Sequence, residues 1–166
     1  MNTPKILKLL FVCDTNTTLS PLMKEIFWRE LGQRKIQHRF ELDSAGTHIG
    51  QFERGIERRM GLLAEQHGFD LSHHAVRAVS PADLNEKNFI FTMSESTFWD
   101  ISDLAEGEEF SAQLELLLQH SGQLGIREVA DPLFGEISFE DAYNLLEKAS
   151  GHLGEYFQEQ ISLKQL

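Results

Sequence analysis

Residues 9–21 read Leu9-Leu10-Phe11-Val12-Cys13-Asp14-Thr15-Asn16-Thr17-Thr18-Leu19-Ser20-Pro21. The stretch opens inside a near-continuous apolar run, residues 6–12, broken by one lysine. Its length and flanks suit a strand buried on both faces, as in a parallel sheet. Residues 13–19 form a short polar loop. Ser20 is a favoured N-cap, and Pro21 is preset for the first helical position. Leu22, Met23, Ile26, Phe27 and Leu31 then recur at helical spacing until Gly32 supplies a stop. The unit is strand, tight loop, helix. Such a loop is a natural anion site, because its N–H groups converge and the helix dipole adds partial positive charge. Cys13 sits at the carboxyl end of the strand, where doubly wound sheets bind ligands. A thiol there is expected to have a lowered pKa and to serve as a nucleophile.

Outward from this unit, strands and helices alternate. Residues 39–42 read as a second strand ending at Ser44-Ala45-Gly46-Thr47. Ile56, Met60, Leu63 and Ala64 mark a second helix that stops near Gly68. Residues 89–93 are a third strand. Phe98, Ile101 and Leu104 predict a helical segment, and Leu114, Leu117 and Leu118 another. Residues 128–130 lead into Asp131-Pro132 as a fourth strand. The last helix spans residues 139–161, with Phe139, Ala142, Leu146, Ala149, Leu153 and Phe157 as its apolar stripe. Residues 107–109 and 121–125 read as loops within one domain, 1–166. The expected fold is α/β: a single domain with a four-stranded parallel sheet and helices on both faces.

The 166 residues fit one core, and a hydrophobic share of 41% is too high for a disordered chain. No run approaches the roughly 20 apolar residues that span a bilayer. The first eight residues do not read as a signal peptide, so the expected location is cytoplasmic. A net charge of −11 argues against nucleic acid or an anionic membrane as partner. Arg54, Arg58 and Arg59 alternate with Glu53 and Glu57 and read as a solvated helix face. One cysteine excludes a disulfide framework and a cysteine zinc cluster, and no metal or cofactor is expected. Trp28, Trp99 and Phe98 are expected in the core.

The stretch from Leu9 to Pro21 resembles the phosphate loop of low-molecular-weight protein tyrosine phosphatases: apolar strand, Cys, five residues, Arg, Ser, Pro. Ser44-Ala45-Gly46-Thr47 is similar to the family's second strand end. The Gly68-Phe69-Asp70-Leu71-Ser72-His73 segment, Met93, Asp131-Pro132-Leu133-Phe134-Gly135 and the last helix also fall in the family's order. The resemblance implies Cys13 as nucleophile, forming a phosphocysteine. It implies Asp131 as general acid, protonating the leaving phenolate and later activating water. Asn16 would hold the loop in shape, and Ser20 would donate toward the Cys13 sulfur. The implied ligand is a phosphotyrosine protein or a small oxyanion.

The chain also departs from that pattern. Leu19 stands where the family carries arginine, whose planar fork grips two phosphate oxygens. Losing one preorganised donor costs about 3 to 4 kcal/mol of barrier, and a charged bidentate donor at least as much. Asp14 puts a carboxylate beside the nucleophile, where it is expected to repel phosphate and raise the thiol pKa. Thr15 replaces a glycine, and Thr18 a second cysteine found in many members. Ser94 replaces aspartate, and Leu133 and Phe134 replace residues often tyrosine. Thr17 completes the loop. The resemblance and the departures from it leave three readings. The first is an inactive or strongly impaired phosphatase that still binds an anion or phosphoprotein. The second is a working phosphotyrosine phosphatase with a shifted substrate or a substitute cation: Lys24 would have to fold back, Arg29 is too far along the helix, and the sequence does not place Arg54, Arg58, Arg59 or Arg77. The third is a non-enzymatic interaction module. A related class, arsenate reductase, uses extra cysteines for a disulfide relay, and Cys13 stands alone.

Overall fold

A computed structural model of the chain describes residues 5–51, 54–121 and 125–166. Strands β1 (Leu7–Cys13), β2 (Phe40–Gly46), β3 (Phe89–Thr92) and β4 (Gln113–Leu116) form one parallel sheet in the order β2-β1-β3-β4. The helices are α1 (Leu19–Gln33), α2 (Arg58–Gln66), α3 (Asp83–Glu86), α4 (Glu95–Leu104) and α5 (Phe139–Ser162).

Side chains alternate across β1, and each set meets its own layer. Leu7, Leu9, Phe11 and Cys13 pack with residues of α1, α2 and α5 on one face. Leu10 and Val12 pack with Leu84 of α3 and Ile101 of α4 on the other. The larger core is aromatic: Phe157 of α5 lies against Phe27, Phe40, Phe89 and Phe91, with ring centroids 5.1 to 6.3 Å apart. The tryptophans are not part of it. Trp28 and Trp99 are 41% and 63% exposed: phenylalanines fill the sheet face under α1, and Leu10, Val12, Ile90 and Ile101 fill the face under α4. No helix among the described residues is long and apolar enough to cross a membrane.

Several elements differ from expectation for local reasons. The fourth strand is Gln113–Leu116, paired in register with β3 from Phe89↔Gln113 to Thr92↔Leu116. Leu114, Leu117 and Leu118 mimic helical spacing, but the run is an edge strand followed by a 3-10 turn, Leu117–His120. Residues 128–130 form no strand. Val129 N–H reaches Met93 O at 2.8 Å, past the end of β3, where no neighbouring strand remains to pair. Helix α1 begins earlier than Ser20, with Thr18 at the N-cap. It also runs past Gly32, because Lys35 takes the left-handed position (φ 61°) that ends it. In the basic cluster, Glu57 is the N-cap of α2, accepting from Met60 N–H at 3.0 Å and from Arg59 Nε at 2.9 Å. Glu53 lies outside the described residues, as do residues 122–124 of the expected 121–125 loop.

The strand order places a switch point at β1. The chain leaves β1 toward β2 on one side, then crosses to β3 on the other. The crevice beyond the carboxyl ends of β1 and β3 is the ligand position of such sheets, and Cys13 is the last residue of β1.

Candidate active site

The loop from Cys13 to Leu19 is closed by a buried polar network. Asn16 is fully buried and holds a left-handed φ of 58°, which asparagine tolerates better than most residues. Its Nδ2 donates to Ser20 Oγ and to Ser44 Oγ, each at 3.0 Å. Its Oδ1 accepts the Arg77 N–H at 3.0 Å. His74 Nε2 lies 2.7 Å from the Asn16 carbonyl oxygen. Burial lowers the His74 pKa, which favours the neutral ring. At Gly46 the end of β2 comes so close that an added Cβ would sit 2.7 Å from the Asp14 carbonyl oxygen, so only glycine fits. Thr15 and Thr17 bond to each other through their hydroxyls at 2.7 Å. The Thr17 carbonyl accepts the Glu57 N–H at 2.8 Å.

Cys13 is 2% exposed. Burial pushes its thiol pKa up, and the Asp131 carboxylate adds to the rise. Hydrogen bonds from the Ser20 side chain and from the Ser20 and Asn16 main chain only partly oppose it. In place of the lowered pKa expected from position, burial raises the thiol, and desolvation outweighs the hydrogen bonds that favour the thiolate. Ser20 Oγ accepts from Asn16 Nδ2 at 3.0 Å and lies 3.2 Å from Ala45 O and 3.1 Å from Cys13 Sγ, so its one proton serves either the carbonyl or the sulfur. Iodoacetamide alkylation of the folded chain is accordingly expected to climb only above pH 9.0, the ordinary thiol value. A plateau already reached near neutrality would contradict it. Stability follows the same sign: the folded thiol keeps its proton longer, so its contribution is full below 9.0 and is lost as pH rises beyond it.

Above Cys13 lies a cleft of about 290 Å³, lined by Asp14, Leu19, Met93, Glu128, Asp131 and Phe134 among others. Leu19 is 1% exposed and joins the core on the α1 face. Among the described residues lining the cleft none is lysine, arginine or histidine. The considered substitutes are engaged elsewhere. Lys24 pairs with Glu25 and lines a separate groove between α1 and β2. Arg29 bonds Tyr143 and Glu147. Arg59 bonds Glu57, and Arg77 bridges Asp43 and Asp83. Arg54 and Arg58 do not line the cleft.

Asp131 caps a 3-10 turn, Pro132–Phe134, its Oδ1 accepting the Leu133 N–H at 3.0 Å. Its Oδ2 accepts from Thr18 Oγ1 at 2.8 Å. Asp14 turns toward solvent and meets His48 Nδ1 at 2.8 Å. The carboxylate that raises the thiol is therefore Asp131 rather than Asp14. Ser94 caps α4, accepting the Thr97 N–H at 3.2 Å. Phe134 walls the cleft, while Leu133 does not. Sequence reasoning missed His74, the bond from the Arg77 main chain to Asn16 and the partnering of Asp14 by His48. His73-His74 offered two histidines with no periodicity to choose between them. Among the described residues, no group of three or more His, Cys, Asp or Glu is placed to hold a metal ion.

Known proteins match this arrangement along nearly the whole chain. Residues 8–163 fit the sequence pattern described as low molecular weight phosphotyrosine protein phosphatase. A Synechocystis sp. protein with a provisional low molecular weight protein-tyrosine-phosphatase name is 30% identical over 151 residues, 89% of this chain and 94% of its own. The low molecular weight phosphotyrosine protein phosphatase of Gallus gallus is 27% identical over 141 residues, 84% of this chain and 88% of its own. The crystal structure of YfkJ from Bacillus subtilis superposes with a TM-score of 0.85 at 22% identity, covering 96% of this chain and 99% of that one. This chain belongs to the low molecular weight phosphotyrosine protein phosphatase family.

Proposed function

We propose that this family member is a phosphatase whose catalysis is absent or strongly impaired, and whose loop retains the capacity to bind an oxyanion or a phosphorylated partner. One observation carries the reading: the side chain at the arginine position, Leu19, is buried at 1% exposure, and the described cleft lining contains no cation. An incoming phosphate dianion would meet Glu128, Asp131 and Glu136 around a protonated thiol. Coulomb repulsion acts on the ground state, and the charge that develops on the transferred group has only main-chain amides and the start of α1 to stabilise it. The loop scaffold supports retained binding. Asn16, Ser20, Ser44 and His74 hold the main chain in a closed, hydrogen-bonded turn that does not depend on an arginine. In the roles we assign, Cys13 is the vestigial nucleophile and Asp131 the general acid.

The test is p-nitrophenyl phosphate turnover by the unmodified chain, alongside Cys13→Ala, with vanadate titrated by calorimetry. The expected result is turnover indistinguishable from Cys13→Ala, together with measurable vanadate binding. Rapid turnover abolished by Cys13→Ala would establish the alternative, a working phosphatase. No turnover and no oxyanion binding would favour an interaction module, for which Trp99, 63% exposed, offers a surface anchor.

A further inference from the structure

A threonine at a helix N-cap ordinarily spends its hydroxyl on one of the helix's own unpaired N–H groups. Thr18 holds that position before α1, yet its side chain makes no capping hydrogen bond. Nor is the hydroxyl in water, since Thr18 is 0% exposed. It donates instead to Asp131 Oδ2 at 2.8 Å, a residue 113 positions away.

The other end of this bond is equally specific. Asp131 Oδ1 accepts from Leu133, within its own turn. That contact fixes the carboxylate relative to the 3-10 turn but not relative to Cys13. The segment carrying Asp131 belongs to no strand or α-helix. Of the two bonds to Asp131, only the one from Thr18 ties the carboxylate to the loop that carries the nucleophile.

We propose that Thr18 is the positioning residue for Asp131: its hydroxyl, withdrawn from helix capping, locks the carboxylate onto the Cys13 loop at the wall of the cleft. This rests on the assignment of Asp131 as general acid made above. A general acid works only within hydrogen-bond reach of the leaving oxygen. A hydroxyl serves here because it donates to the carboxylate and turns acceptor when the carboxyl is protonated.

Two variants separate positioning from packing. Thr18→Val keeps the shape and removes the hydroxyl, while Thr18→Ser keeps the hydroxyl. In the unmodified background, Thr18→Val is expected to speed amide exchange at Leu133 roughly tenfold by NMR, with the amides of α1 unchanged because the hydroxyl does not cap them. Thr18→Ser should restore the native rate. Unchanged exchange at Leu133 in Thr18→Val, or loss of protection throughout α1, overturns the proposal. In a Leu19→Arg background, Thr18→Val should lower kcat for p-nitrophenyl phosphate roughly tenfold with KM within about twofold, and should flatten the alkaline limb of the pH profile. An equal loss in Thr18→Ser and Thr18→Val also counts against it. A Leu19→Arg chain that is inactive with Thr18 intact refutes the assigned catalytic machinery, and the exchange measurement still decides the role of Thr18.

Discussion

Leu19→Arg is expected to raise p-nitrophenyl phosphate turnover by roughly 10²- to 10³-fold over the unmodified chain, the size of effect of one preorganised donor. The site is built for the exchange. Leu19 is the first residue of α1, its side chain shares the cleft lining with Cys13 and Asp131, and it is 1% exposed. The methylene stem of arginine takes over the leucine's apolar contacts while the guanidinium extends into the 290 Å³ cleft. There it supplies two parallel N–H donors to an oxyanion and a positive charge beside a thiol that burial now keeps protonated. The two effects are separable. The alkylation profile of Cys13 should move to lower pH in Leu19→Arg even without substrate, because a nearby cation favours the thiolate. Asp14→Asn added to Leu19→Arg should contribute only a few-fold more. The Asp14 carboxylate is already partnered by His48 at 2.8 Å and faces solvent. The substitution carries a stability cost of about 1 to 3 kcal/mol for placing a longer chain in a packed site, read as a lower Tm. A folded Leu19→Arg chain with neither turnover nor a shifted alkylation profile would overturn the role proposed for the missing arginine.

The parts legible in the sequence are those in which one local signal has one physical cause. The run through Leu9, Leu10, Phe11 and Val12 is apolar on both faces because both faces of β1 are covered. Asn16 is a residue type that tolerates the left-handed turn it makes. The illegible parts depend on neighbours that the sequence does not order. Leu114 to Leu118 has the same apolar spacing whether it forms a helix or an edge strand, and pairing with β3 decides it. Ser20 looked like a cap and proved to be a buried relay between Asn16, Ala45 and Cys13. Thr18 looked like a loop residue and holds the cap position without capping. Position at a helix end does not reveal the depth of burial, which is what raises the Cys13 pKa. His48 and His74 carry no periodic signal at all, and their roles come from contacts made 34 and 58 residues away.

Asn16→Ala should cost about 3 to 5 kcal/mol of unfolding free energy in urea, at the upper end of single substitutions. Asn16 is fully buried and uses its amide for three bonds, to Ser20, Ser44 and the Arg77 N–H. Two of those partners, Ser20 and Ser44, are themselves buried. Removing the amide strands groups that water does not reach, at about 1 to 3 kcal/mol for each left unsatisfied, less what relaxation recovers. Alanine also bears the left-handed φ of 58° with more strain than asparagine. Asn16→Gly isolates that part: it should recover roughly 1 kcal/mol of backbone strain and none of the hydrogen bonding. The comparison bears on function because the same bonds shape the loop proposed to hold an oxyanion. If Asn16→Ala costs several kcal/mol and also abolishes vanadate binding, the main-chain turn is the binding element that persists without arginine. If the loss of stability is under about 1 kcal/mol, water or a shifted Ser44 replaces the amide with little penalty. The loop is then held by packing of the Leu19 side chain instead, and a leucine at that position stabilises a closed, empty turn rather than marking the loss of a binding group.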